Sequence, residues 1–182
     1  MKSSVVRNIK RVNTDTKDGV PPSTFTPEHS LPHAFSVVAN RISHMLERMY
    51  GELYGISVVD WRIIAILGTH FPLSAKALSE LTAMDQVSVS RAIEQLTNKK
   101  LVLRRTDAAD RRRVALRLSK NGLAIYNHVM PLLFASEAML VSELSDEDAG
   151  SVRRIMEDLV ERSGHLFGID KDWRAVFSPP EA

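Results

Sequence analysis

Apolar residues recur along this chain at two different periods, and the change between them marks out its elements. Over residues 33–53, Phe35, Val38, Ile42, Met45 and Met49 return every three or four positions, the spacing of one helical face. Pro32 stands where proline suits a helix start, and Gly51 and Gly55 are expected to close this first helix. Ser57, three residues before Asp60, is an N-cap pattern that opens a second helix with Trp61, Ile64, Ala65 and Leu67 on its apolar side. Gly68 and the Phe71-Pro72 step end it. Ser74 caps a short helix that runs through Leu81, and after Thr82-Ala83-Met84 a fourth helix starts at Asp85 and runs to about Lys99. Two helices separated by so short a turn make a helix-turn-helix candidate.

The period then changes. Leu101-Val102-Leu103 and Val114-Ala115-Leu116-Arg117-Leu118 suit strands, and the stretch from Thr106 to Arg113 is dominated by polar and charged residues, which predicts a hairpin with a long basic loop. Helical spacing returns over residues 119–141, with Leu123, Tyr126, Met130 and Leu133 on one stripe. Ser145 and Asp148 cap a last helix, whose buried face is expected to be Val152, Ile155, Met156, Leu159 and Val160. The predicted order is α-α-α-α-β-β-α-α, a mainly α fold of the α+β kind.

Composition narrows the function classes. With 182 residues, 44% hydrophobic and 25% charged, the chain can bury one sizeable core. No apolar run approaches the roughly 18 residues of a membrane span, and residues 1–20 lack the apolar block of a secretory signal. A soluble, cytoplasmic protein with no membrane partner is the expectation. Zero cysteines exclude disulfides, thiolate metal sites, cysteine nucleophiles and thiol redox sensing. The six histidines form no His-Glu-x-x-His, and no phosphate-cradling glycine loop or nucleophile elbow is present, so no enzyme, metal or cofactor is expected.

The net charge of +2 hides an uneven distribution. Between Lys99 and Lys120 lie Lys100, Arg104, Arg105, Arg111, Arg112, Arg113 and Arg117 against only Asp107 and Asp110, a candidate polyanion-binding stretch. The segment from Glu143 to Glu161 is acid-rich and suits a face turned away from DNA. A helix entering the major groove needs small or hydrogen-bonding side chains in its first turns, and Gln86, Ser88, Ser90 and Arg91 meet that need. Val87 or Val89 could lie against a thymine methyl. Arg111, Arg112 and Arg113 at the hairpin tip project guanidinium groups toward a narrow minor groove, while Asp110 pairs with a neighbouring arginine and orients it.

These residues resemble the MarR family of winged-helix transcriptional regulators over about residues 33–164. The family pattern Asp-x-Arg, Leu-x-Leu-Ser/Thr, then Gly is matched by Asp110, Arg112, Leu116, Leu118, Ser119 and Gly122 with the expected spacing. Val89-Ser90-Arg91 and Leu96 resemble its recognition helix, and Trp61-Arg62 its second helix. Lys100 departs from it, standing where the family usually has the glycine that favours a left-handed helix cap.

The resemblance implies a winged helix-turn-helix with flanking dimerisation helices. Residues 1–30 are then a mildly basic flexible tail, 31–56 an N-terminal dimerisation helix, 57–120 the DNA-binding lobe, 119–164 the C-terminal dimerisation helices and 165–182 a tail. It further implies a homodimer acting as a repressor on a pseudo-palindromic double-stranded operator with half-sites roughly 34–36 Å apart. It also implies a cleft for a small aromatic carboxylate, phenolic or acyl-CoA effector, for which Arg41, His44, Trp61 and Arg62 supply a guanidinium, an imidazole and an indole. The alternative from another class is a winged helix that coats DNA without sequence preference or docks on protein.

Overall fold

The computed structural model describes residues 30–106, 114–168 and 170–176. The chain divides into two compact units, residues 1–42 and 43–182. Helix α1 (Leu31–Tyr54) begins in the first and ends in the second. In the first unit the start of α1 is anchored by Ser30, whose hydroxyl accepts a hydrogen bond from the His33 amide at 3.2 Å.

The second unit carries the rest of α1 and then α2 (Val58–Thr69), α3 (Ala75–Thr82), α4 (Gln86–Asn98), β1 (Val102–Thr106), β2 (Val114–Leu118), α5 (Lys120–Val141), α6 (Asp146–Phe167) and α7 (Trp173–Val176). The expected order is present, with the short α7 added. Helix starts fall where capping chemistry places them. Ser57 and Asp60 form a reciprocal capping box at α2, and Ser74, Asp85, Ser119 and Ser145 each accept an amide hydrogen bond at the start of α3, α4, α5 and α6. The strands pair antiparallel from Val102 opposite Leu118 to Thr106 opposite Val114, and Leu73 adds a single bridge to Leu116 on the other edge of β2.

The core gathers Ile63, Ile64 and Leu67 of α2, Leu78 of α3, Val89, Ile93 and Leu96 of α4, Val102 and Leu116 of the hairpin, and Ile125 and Val129 of α5. Gly122 explains itself here. A Cβ at this position would overlap the Leu101 carbonyl oxygen, so the first turn of α5 can approach β1 only as glycine. Two polar contacts tie the lobe together: Lys99 Nζ donates to the Gly55 carbonyl, and Tyr54 Oη meets His128 Nδ1 with the rings edge-on at 5.9 Å.

Several expected faces are shifted. In the second unit's part of α1 the buried side chains are Leu46 and Tyr50, whereas Met45 is exposed and Met49 half-buried. Gly51 and Gly68 lie inside helices and not at their ends; Gly55, with φ of 61°, is the residue that stops α1. On α5 the buried set is Gly122, Ile125 and Val129, one position out of phase with the expected Leu123, Tyr126, Met130 and Leu133. On α6 no residue is buried, so Val152, Ile155, Met156, Leu159 and Val160 do not form a face covered by the described residues. In each case the stripe was apolar, but another face met the core or no surface covered it. The expectation about apolar runs is also corrected: α5 is long and apolar enough, by length and composition, to cross a membrane. Its Ile125 and Val129 are instead buried in the lobe.

Candidate DNA interface

Helix α4 is fixed from below and free above. Val89, Ala92, Ile93 and Leu96 are buried, while Gln86, Val87, Ser90, Arg91 and Glu94 are exposed. Positions 87, 90, 91 and 94 follow the i, i+3, i+4, i+7 rule and therefore share one face. Gln86, Ser90 and Arg91 thus stand on solvent as base-reading geometry requires. Ser88 is different: it is half-buried, and its amide is bound by the Asp85 carboxylate at 2.8 Å.

Asp85 sets the electrostatics of the helix start. Hydrogen bonds from the Ser88 hydroxyl and then the Ser88 amide hold its carboxyl below the usual carboxylate range. The positive end of the helix dipole is therefore already matched by a fixed anion. Attraction to a polyanion is then carried mainly by guanidinium groups elsewhere. On the described part of the hairpin these are Arg104, Arg105 and Arg117, all exposed. Asp110, Arg111, Arg112 and Arg113, expected at the wing tip, lie outside the described residues.

Both ends of the helix-turn-helix use the same stop. After α3, Ala83 has φ of 53°; its amide donates to the Glu80 carbonyl at 3.3 Å, and the Met84 amide donates to the Ser79 carbonyl at 3.2 Å. After α4, Lys100 has φ of 57°, with the Lys100 amide bonded to Thr97 O at 3.0 Å and the Leu101 amide to Leu96 O at 2.8 Å. Both are Schellman turns, in which a left-handed residue lets two amides satisfy the last helical carbonyls. Lys100 therefore adopts the geometry that glycine adopts most easily. Ser79, buried beneath the first turn, donates its hydroxyl to the Met84 carbonyl and locks the angle between α3 and α4.

The second unit holds three of the four effector candidates. His44 is exposed and sits 3.6 Å from Glu47. Trp61 is only 6% exposed, packed against Tyr50 with ring centroids 6.0 Å apart. Arg62 is exposed on α2, and Arg41 belongs to the first unit. Two cavities are lined by other residues, one of about 520 Å³ by Glu80, Ala83, Gly164 and Phe167, another of about 530 Å³ by Phe134 and Met156.

Sequence reasoning missed two buried polar atoms: Tyr50 Oη and Asp60 Oδ1 have no hydrogen-bond partner among the described residues. Burial first, and the nearby Glu47 second, push the Tyr50 hydroxyl up to about 12, Asp60 adding to this and Arg62 opposing it. Tyr50 stands four residues after Leu46, on a helical repeat beside the methionine stripe of Met45 and Met49.

The model of the MarR family matches residues 54–113, which contain α2, the helix-turn-helix and β1. Over these residues the chain resembles the MarR family. It is 27% identical over 118 residues to the HTH-type transcriptional repressor NicR of Pseudomonas putida, covering 59% of this chain and 72% of that one. Its fold is that of the S. aureus MepR–DNA complex, with a TM-score of 0.65, 20% identity and coverage of 73% of this chain and 98% of MepR. It is likewise that of Bordetella bronchiseptica BpsR, a structure describing regulation of DNA binding by 6-hydroxynicotinic acid, with a TM-score of 0.63, 18% identity and coverage of 74% and 96%. The relatives it resembles are transcriptional regulators.

Proposed function

We propose that this chain is a cytoplasmic, homodimeric repressor that binds a pseudo-palindromic double-stranded operator and is released by a small aromatic anion. The observation that carries the reading is the division of α4, with Gln86, Ser90 and Arg91 on solvent and four apolar residues beneath them holding the helix in place. Such a helix can enter a major groove without disturbing the core. Arg112 of the family motif then enters the minor groove, with Arg111 and Arg113 on the flanking backbone and Asp110 orienting the wing. The fold shared with the MepR–DNA complex and the relationship to a repressor support the same reading.

A second copy supplies what α6 lacks. Its 22 residues bury no side chain, while Ile155 and Val160 are 56% and 67% exposed. An apolar stripe of that length on a soluble helix needs a cover. The effector is supported by BpsR, whose DNA binding is regulated by 6-hydroxynicotinic acid, and by the buried Tyr50 and Asp60 atoms that lack a partner among the described residues, with Arg62 near enough to Tyr50 to act on its hydroxyl.

The test is binding to operator fragments selected from the source genome, followed by salt titration. Arg91→Ala is expected to relax discrimination among operator variants. Arg112→Ala is expected to lower affinity while leaving the dimer intact. Equal affinity for operator and random duplex across the salt series would overturn the sequence-specific reading in favour of non-specific coating. For the effector, tryptophan emission and operator affinity are followed during titration with phenolic acids, salicylate-like anions, their acyl-CoA esters and 6-hydroxynicotinic acid. The release reading predicts that one of these changes both signals, with the emission change lost in Trp61→Phe.

A further inference from the structure

We infer that Val87 reads the 5-methyl group of a thymine in each operator half-site. This rests on the DNA-binding reading above and names the chemistry of one contact within it. Two valines lie in the first turns of α4, and their surroundings separate them completely. Val89 has no exposed surface and belongs to the core with Ala92, Ile93 and Leu96, whereas Val87 is 58% exposed. Val87 is also the one exposed large hydrophobic residue of α4. It shares its face with Ser90 and Arg91, the proposed base readers, and adjoins Gln86.

Local stability gives no reason for it. A β-branched side chain is a weak helix former, and an exposed one gains no burial in return. Its assets are a stiff χ1 and an apolar surface held out from the helix without a mobile stem. In the major groove only thymine presents an apolar group, its C5-methyl, while the other bases present donors and acceptors. Gln86 beside it carries the amide that pairs with adenine N6 and N7. The Gln86–Val87 pair therefore favours A·T pairs, one residue through hydrogen bonds and the other through a methyl contact. Asp85 places a carboxylate beside this turn, which disfavours a phosphate contact there.

The test uses the full chain and an operator recovered by selection from a random-sequence duplex pool. Each thymine is replaced singly by deoxyuridine, which removes only the methyl group, and affinity is measured for the wild type and Val87→Ala. One thymine per half-site is expected to weaken wild-type binding about fourfold when replaced, the equivalent of ~0.8 kcal/mol for one buried methyl-sized group. The same replacement should leave Val87→Ala unchanged, and Val87→Thr should keep the sensitivity in part. The alanine variant should melt no lower than the wild type, since alanine is the better helix former, so weakened binding reports the contact and not unfolding. If both proteins prefer the operator to random duplex yet show the same thymine profile, the inference falls and the DNA-binding reading stands. If the selection yields no preferred sequence, both fall.

Discussion

Helices α4 and α6 belong to the same unit and both carry apolar residues at helical spacing, yet they end differently. Of the 13 residues of α4, Val89, Ala92, Ile93 and Leu96 are buried; of the 22 of α6, none is. Amphipathicity states that a face needs a cover. Only the three-dimensional arrangement shows whether the chain covers it itself. In α4 the apolar face is used for folding and the polar face is left for a ligand, whereas in α6 the apolar face is what remains on offer.

The largest expected contrast comes from truncating one isoleucine on each helix. Ile93→Ala should cost about 2–5 kcal/mol in urea unfolding, as buried large-to-small changes do, at every protein concentration. Ile155→Ala should cost less than about 0.5 kcal/mol in the dissociated chain, as surface changes usually do. Its effect should grow with protein concentration as dimer forms, a trend that sedimentation can follow in parallel. Similar, concentration-independent losses from both would break the comparison.

Glycines give the next contrast. At Gly122 an added Cβ meets backbone, and alanine there should destabilise by about 1–3 kcal/mol through overpacking. At Gly164 in α6 an added Cβ meets nothing within 4 Å, and alanine should stabilise by up to about 1 kcal/mol through helix propensity. Thermal melts of the two variants should therefore move in opposite directions.

Smaller again is Tyr50→Phe, which removes a buried hydroxyl without a partner and should raise stability by roughly 1 kcal/mol. The variant also has a pH signature. The folded-state hydroxyl titrates higher than the ordinary value of 10.0, so its contribution is fully present below pH 10 and is lost as pH rises through about 12. That part of the alkaline loss should vanish in the phenylalanine variant. The smallest expected effect is Lys100→Gly, a gain of less than about 1 kcal/mol from relieving a left-handed lysine, offset in part by unfolded-chain entropy.

What could be read in advance was what depends on neighbours in sequence. The caps at Ser57, Ser74, Asp85 and Ser145 each need only a side chain and an amide three residues on, and they stand where expected. The hairpin and helix-turn-helix followed from the change of period and the short turn at Ala83. Burial was harder. The stripes on α1, α5 and α6 were apolar as read, but a stripe does not name its cover, and on α5 a shift of one residue separated the expected face from the buried one. The left-handed turns at Ala83 and Lys100 carried no glycine to announce them. The solvent face of α4 was legible in Gln86, Ser90 and Arg91, whereas the choice between Val87 and Val89 needed the packing beneath the helix.

The two Schellman turns flanking α4 have a mechanical consequence. With Ala83 and Asp85 holding one end and Lys100 the other, the helix resembles a bar clamped at both ends, with little freedom to fray. A signal reaching it has no loose end to unwind. It has to carry the bar as a whole, so in the proposed dimer the adjustable quantity is the gap between two rigid jaws, as in a caliper.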